Sequence, residues 1–128
     1  MQRTIAGIGA IVMLAAVALG AFGAHVLEPV IGDSIETYKT GVQYHMIHGL
    51  GIILAALAAG VWGDSGKLRW SAWLFLIGII LFSGSLYLLA VAGWKWLGPV
   101  TPLGGVSFIA GWLLLALSAW GAAGTGKK

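Results

Sequence analysis

Apolar residues fill long stretches of this chain, and the charges fall between them. Four stretches, Thr4–Val26, Thr40–Gly63, Trp70–Trp94 and Trp96–Gly126, carry no Asp, Glu, Lys or Arg. A helix needs about 20 mainly apolar residues to cross a bilayer's hydrocarbon core, and each stretch is long enough. The pattern predicts an all-α fold: an integral membrane four-helix bundle of up-down topology, forming one transmembrane domain over residues 1–128. The expected spans are about 4–25, 40–62, 71–93 and 102–123. Pro99 and Pro102 delay the last helix, with Thr101 expected as its cap and Pro102 in its first turn. Arg3 and the small residues Ala21–Ala24 leave a signal peptide as an alternative for the first stretch, whose apolar run is longer than a usual signal core.

Small residues recur on one face of each predicted span. They are Ala16, Gly20 and Ala24 in the first, and Gly51, Ala55 and Ala59 in the second. In the third they are Ser71, Gly78 and Ser85, and in the fourth Gly104, Ser107, Gly111 and Ser118. Such stripes let helix backbones approach in lipid, and packing is the ordinary reading of them. In the second span, Tyr38, Gly41, His45 and His48 continue the small-residue face toward the bundle interior, while Met46, Leu50, Ile53, Leu57 and Val61 suit lipid. Asp33 followed by Glu36 resembles a capping box that would start this helix near Ser34.

Composition and charge narrow the class further. The chain of 128 residues is 59% hydrophobic and 9% charged, the reverse of a disordered segment. It has no cysteine, which excludes disulfides and thiolate metal sites. A net charge of +3 is too dilute for a nucleic-acid footprint, so no nucleic-acid partner is expected. Arg3, Lys67, Arg69, Lys127 and Lys128 fall on one side of the predicted spans, and Lys39 and Lys95 on the other. That bias predicts both termini in the cytoplasm. Trp62, Trp70, Trp73 and Trp120 then mark the inner interface, and Tyr38, Trp94 and Trp96 the outer one. Trp112 falls near mid-membrane, where its indole N–H requires a partner.

The polar residues within the spans gather in the outer half. They include His25, Tyr44, His45, His48, Ser83, Ser85, Tyr87, Thr101 and Ser107, with Trp112 deeper. Polar groups inside a membrane are candidate ligand-binding residues by default. His25, His45 and His48 form the one candidate metal set, for zinc, copper or haem, or a contact to a quinone carbonyl. The plainer alternative is that the imidazoles bond tyrosines, serines and backbone carbonyls and hold the bundle together. The chain has no GxGxxG, Walker A or GxSxG pattern. It also has no intramembrane carboxylate of the kind a proton-coupled transporter uses. No catalytic residue and no cofactor are expected.

Four motifs carry a family resemblance. Gly20-Ala-Phe-Gly-Ala-His25 closes the first span, and Tyr44-His-Met-Ile-His48 opens the second. Leu81-Phe-Ser-Gly-Ser-Leu-Tyr-Leu-Leu89 crosses the third, and Thr101-Pro-Leu-Gly-Gly105 begins the fourth, with Gly111-Trp112 later. In this order they resemble the transmembrane protein 256 family, also known as domain of unknown function 423. The resemblance implies a small multi-span protein of the bacterial inner membrane and brings no established activity. The expected role is a non-enzymatic accessory or lipid- or small-molecule-binding protein. Its partners would be membrane lipids, another membrane protein or a second copy of itself. An oligomeric channel or transporter, and a histidine-based metal, haem or quinone site, are the alternatives.

Overall fold

The structure is a computed structural model that describes residues 2–124. Among these residues there are helices and short connections and no strands. The expected basic pair Lys127 and Lys128 lies outside the described residues. α1 (Gln2–Phe22) runs through a π-helical turn, Gly23–Leu27, into the short α2 (Glu28–Ile31) and a 3-10 turn, Gly32–Ser34. α3 (Ile35–Trp62) follows directly. α4 (Gly66–Gly78) continues through a second π turn, Ile79–Ser83, into α5 (Gly84–Ala92). A 3-10 turn, Lys95–Leu97, then leads to α6 (Val100–Gly124).

Three helical stretches are long and apolar enough to cross a membrane: Gln2–Trp62, Gly66–Ala92 and Lys95–Gly121. The first spans 61 residues and reverses direction. Gly32 makes that reversal possible with φ +60°, a conformation that a side chain disfavours. Gly63 (φ +99°) and Gly93 (φ +70°) end α3 and α5 in the same way. α1 lies antiparallel on α3, as Gln2 reaches Gly60, Gly9 meets Ile52 and Ile53, and Gly20 meets Val42. α4 and α5 also lie antiparallel on α3, with Phe75 against Gly51 and Tyr87 against Gly41. α6 packs chiefly on α4 and the π turn that follows it.

Close backbone approach sets this packing. A methyl group at Gly104 would meet the backbone nitrogen of Phe82, and one at Gly78 would meet the ring of Phe108. Two apolar clusters result. One joins Ile5, Ile52, Ala55, Phe75, Ile79 and Phe108, and the other joins Leu27, Ile35, Tyr38 and Ala90. Between the two clusters, the buried side chains are His45 and His48 on α3 and Ser83 and Ser85 on the α4–α5 stretch.

Several sequence expectations change here. In the first span the buried line is Ile5, Gly9, Ala16 and Gly23, while Ala24 is exposed. At about 100° per residue, steps of seven drift only about 20°, whereas two steps of four drift about 80°. Tyr38 is 2% exposed and sits inside, not in an interfacial belt. The capping box of Asp33 and Glu36 does not form. α3 continues from the 3-10 turn without a side-chain cap, and Glu36 faces Lys39 at 4.0 Å. α6 begins at Val100, so Thr101 is a helical residue, not its cap, although Pro102 does fall in the first turn. Ser65, which the pattern did not single out, caps α4 by accepting from the Leu68 N–H at 3.2 Å. Of the predicted lipid set, Met46, Leu50, Leu57 and Val61 are exposed, but Ile53 is half-buried against Gly9.

Gly104→Ala is expected to destabilise the fold by about 1–3 kcal/mol, because backbone cannot yield as a flexible side chain does. Gly7→Ala has nothing within 4 Å to meet and should be neutral or stabilising by up to about 1 kcal/mol. Unfolding midpoints of the two variants in the same detergent check this, and equal losses would contradict it.

Candidate functional site

α3 carries His45 and His48 on its buried face, three residues apart and therefore on neighbouring positions of one helix side. His48 Nδ1 lies 2.8 Å from the carbonyl oxygen of Tyr44, four residues back. A carbonyl only accepts, so Nδ1 carries the proton. Nε2 is then bare, and it accepts from the indole Nε1–H of Trp112 on α6 at 2.9 Å. One neutral tautomer satisfies both contacts. The ring stacks on Phe108 with centroids 3.5 Å apart and planes 9° from parallel. Phe75 meets the ring edge-on at 5.5 Å, and the Tyr44 ring runs nearly parallel to it at 6.0 Å.

His45 joins α3 to two other helices. Its Nδ1 lies 2.8 Å from Tyr87 Oη on α5, and the ring faces the Val12 backbone of α1. Tyr87 packs against Tyr38, with centroids 5.1 Å apart, and Tyr38 Oη donates to the Leu19 carbonyl of α1.

Three serines follow one rule. Ser83 Oγ donates to Gly41 O at 2.7 Å, Ser107 Oγ to Leu74 O at 2.7 Å, and Ser71 Oγ to Gly111 O at 2.8 Å. Each hydroxyl uses the second lone pair of a carbonyl on a neighbouring helix. Ser85 Oγ donates to Phe82 O at 2.8 Å within its own stretch and also meets Thr101 Oγ1 of α6. Thr101 therefore ties α6 to α5. The Ser71–Gly111 contact lies farther toward the Ser65 end than the expected cluster, so the polar ties reach beyond one half of the helices.

Nine of the ten predicted ligand-binding candidates thus take part in contacts between helices: Tyr44, His45, His48, Ser83, Ser85, Tyr87, Thr101, Ser107 and Trp112. Tyr44 contributes its carbonyl and ring, and Trp112 finds the partner its indole required. His25 is exposed on the π turn and does not join them. Glu28 and Glu36 face Lys39 at 4.0 Å each rather than folding back toward the imidazoles. Among the described residues no three His, Asp or Glu side chains are grouped to hold a metal, so the set of His25, His45 and His48 is not assembled. The π turn explains this, since Gly23 and Leu27 are its buried residues and His25 between them faces outward. Sequence reasoning missed the rings of Phe75 and Phe108. Their only signal is that each faces glycines across a helix contact, which one sequence does not pair. What these contacts do chemically is hold protons in fixed positions between neutral groups.

The family profile described as "Protein of unknown function (DUF423)" matches residues 19–105. The chain belongs to this family. It is 49% identical over 113 residues to the UPF0382 membrane protein YwdK of Bacillus subtilis strain 168, covering 88% of this chain and 92% of that protein. It is 43% identical over 112 residues to the UPF0382 membrane protein SH2409 of Staphylococcus haemolyticus, covering 87% and 90%. It is also 43% identical over 108 residues to the UPF0382 inner membrane protein YgdD of Escherichia coli K12, covering 80% and 79%. No solved structure matches. The chain is a multi-pass protein of the bacterial inner membrane, as these names and the apolar helices agree.

The His48–Trp112 contact should appear as coupling in a double-mutant cycle of His48→Leu and Trp112→Phe. The expected coupling is about 0.6 kcal/mol and at most about 1.7 kcal/mol, the range for interhelical hydrogen bonds in membranes. Unfolding free energies in bicelles measure it, and strict additivity would show that the contact contributes nothing.

Proposed function

We propose that this protein is a non-enzymatic, four-crossing membrane protein that serves as a small accessory subunit, with its outer surface against lipid and a partner helix. One observation carries the reading: the polar layer is occupied with itself. His48 uses both nitrogens, His45 bridges Tyr87 and Val12, and Ser71, Ser83 and Ser107 donate to carbonyls. A nucleophile or general base needs a free lone pair facing a substrate. Here those lone pairs face neighbouring helices. The layer acts as an interlock, and the working surface is the exterior.

The reversal at Gly32 and the antiparallel contact of α1 with α3 support two crossings within the first stretch. At about 1.5 Å per residue, α1 and α3 each reach the roughly 30 Å of a hydrocarbon core. Gly66–Ala92 and α6 supply the third and fourth crossings in an up-down bundle. Both termini then lie in the cytoplasm, as the five-to-two distribution of basic residues favours. Large apolar side chains are exposed along α1 (Ile11, Leu14, Val17) and α6 (Leu103, Val106, Ile109, Leu113), and these suit lipid, a membrane-protein partner or a second copy.

Two measurements test this reading. A C-terminal alkaline phosphatase fusion should be inactive and a C-terminal fluorescent protein bright; the opposite pair inverts the topology. Protein extracted in native lipid discs should carry a stoichiometric membrane-protein partner or a second copy, with neither metal nor Soret absorption. A stoichiometric metal, a Soret band, or solute flux into proteoliposomes that His48→Ala abolishes would replace the accessory reading.

A further inference from the structure

The polar layer leaves one built feature unused. A cleft of about 270 Å3 opens beside the connection between α3 and α4. Trp62, Asp64 and Ser65 of that connection line it, with Lys67 of α4 and Leu117 and Ser118 of α6. Lys67 is exposed and has no ion pair among the described residues, whereas Arg69 holds Asp64 at 3.0 Å and offsets its charge. The hydroxyl oxygen of Ser118 is buried to below 1 Å2 and has no hydrogen-bond partner. It differs in this from Ser71, Ser83, Ser85 and Ser107, whose hydroxyls are all engaged. The first backbone amides of α4, Gly66 and Lys67, have no carbonyl partner within the helix, and the Ser65 side chain takes only that of Leu68. Lys67, the first turn of α4 and the unsatisfied Ser118 therefore meet at one cleft.

We propose that this cleft binds a phosphoryl group, with a membrane phospholipid headgroup as its source. Lys67 and the α4 amides neutralise and hydrogen-bond the phosphoryl oxygens. The Ser118 hydroxyl turns about χ1 to donate to one of them. Trp62 lies at the level of the glycerol, where indoles favour the interface, and Leu117 lies along the first acyl carbons. The charges of Asp64, Lys67 and Arg69 between two apolar stretches put the cleft at headgroup depth. Both leaflets present phosphate there, so the inference is independent of orientation and of the accessory role.

The test counts lipid retained by the full-length protein in detergent, using native mass spectrometry. Phosphatidylglycerol is compared with diacylglycerol, which lacks the phosphoryl group. Phosphatidylglycerol should be retained about tenfold better, and Lys67→Gln and Ser118→Ala should each remove most of that preference, a loss of about fivefold or more. Lys95→Gln, at the opposite end of the molecule, should retain lipid within about twofold of the parent. Thermal midpoints of all variants show whether they remain folded. Inorganic phosphate at equal concentration that displaces the lipid would uphold the phosphoryl site with free phosphate as occupant, and no displacement would assign the lipid. Equal retention of diacylglycerol overturns the proposal. So does a Lys95→Gln loss as large as that of Lys67→Gln, which would mean that net charge alone acts.

Discussion

Without water, a buried imidazole must engage its one proton and its one lone pair inside the protein. His48 meets that demand in a single way, with Tyr44 O behind it and the Trp112 indole in front. The requirement sets the register of α6 against α3. Once Trp112 is at His48, Phe108 lies one turn away and stacks on the imidazole, and Ser107 reaches Leu74 O. Ser71 reaches Gly111 O in the same register. An unsatisfied polar group in hydrocarbon costs several kcal/mol, so each of these contacts excludes neighbouring registers more strongly than it adds stability.

Small residues make that hydrogen bonding possible. Phe108 lies flat on His48 because Gly78 has no side chain in its way, and Phe75 fits between Gly51 and Gly111. The apolar cluster around Phe75 and the one around Tyr38 therefore close from both sides on the polar layer. The π turn at Ile79–Ser83 lies at this level. It lets Ser83 bond α3 while Ser85, two residues on, meets α6. A wider turn at a place where two faces must both be used is the usual setting of a π bulge.

Much of this was legible in the chain. The inward face of α3, the exposed Leu50, Leu57 and Val61, and the packing roles of Gly104 and Gly111 follow from helical spacing alone. The need of Trp112 for a partner was legible too, but not the partner. Errors arose where local rules competed. Asp33 and Glu36 match a cap motif, yet the chain enters α3 from a 3-10 turn that leaves no cap to fill. Thr101 matches a cap, yet its hydroxyl serves Ser85. Tyr38 suits both an interface and an interior, and the Leu19 carbonyl decided for the interior.

The sequence by itself determined the solvent of this protein, its helical elements and the faces they bury. Those follow from runs of apolar residues and from 3.6-residue periodicity, which are properties of single segments. Tertiary structure alone decided which polar groups meet. A histidine three residues from another on one helix is compatible with a metal site, a proton relay or an interlock. The choice depends on what neighbouring helices bring to each nitrogen. Trp112, Tyr87 and Val12 are distant in the chain from the histidines they engage, and His25, nearer the other histidines than Trp112 is to His48, faces elsewhere. Hydrogen bonding is directional and short-ranged, so its partners are set by helix register, which spacing within one helix does not contain.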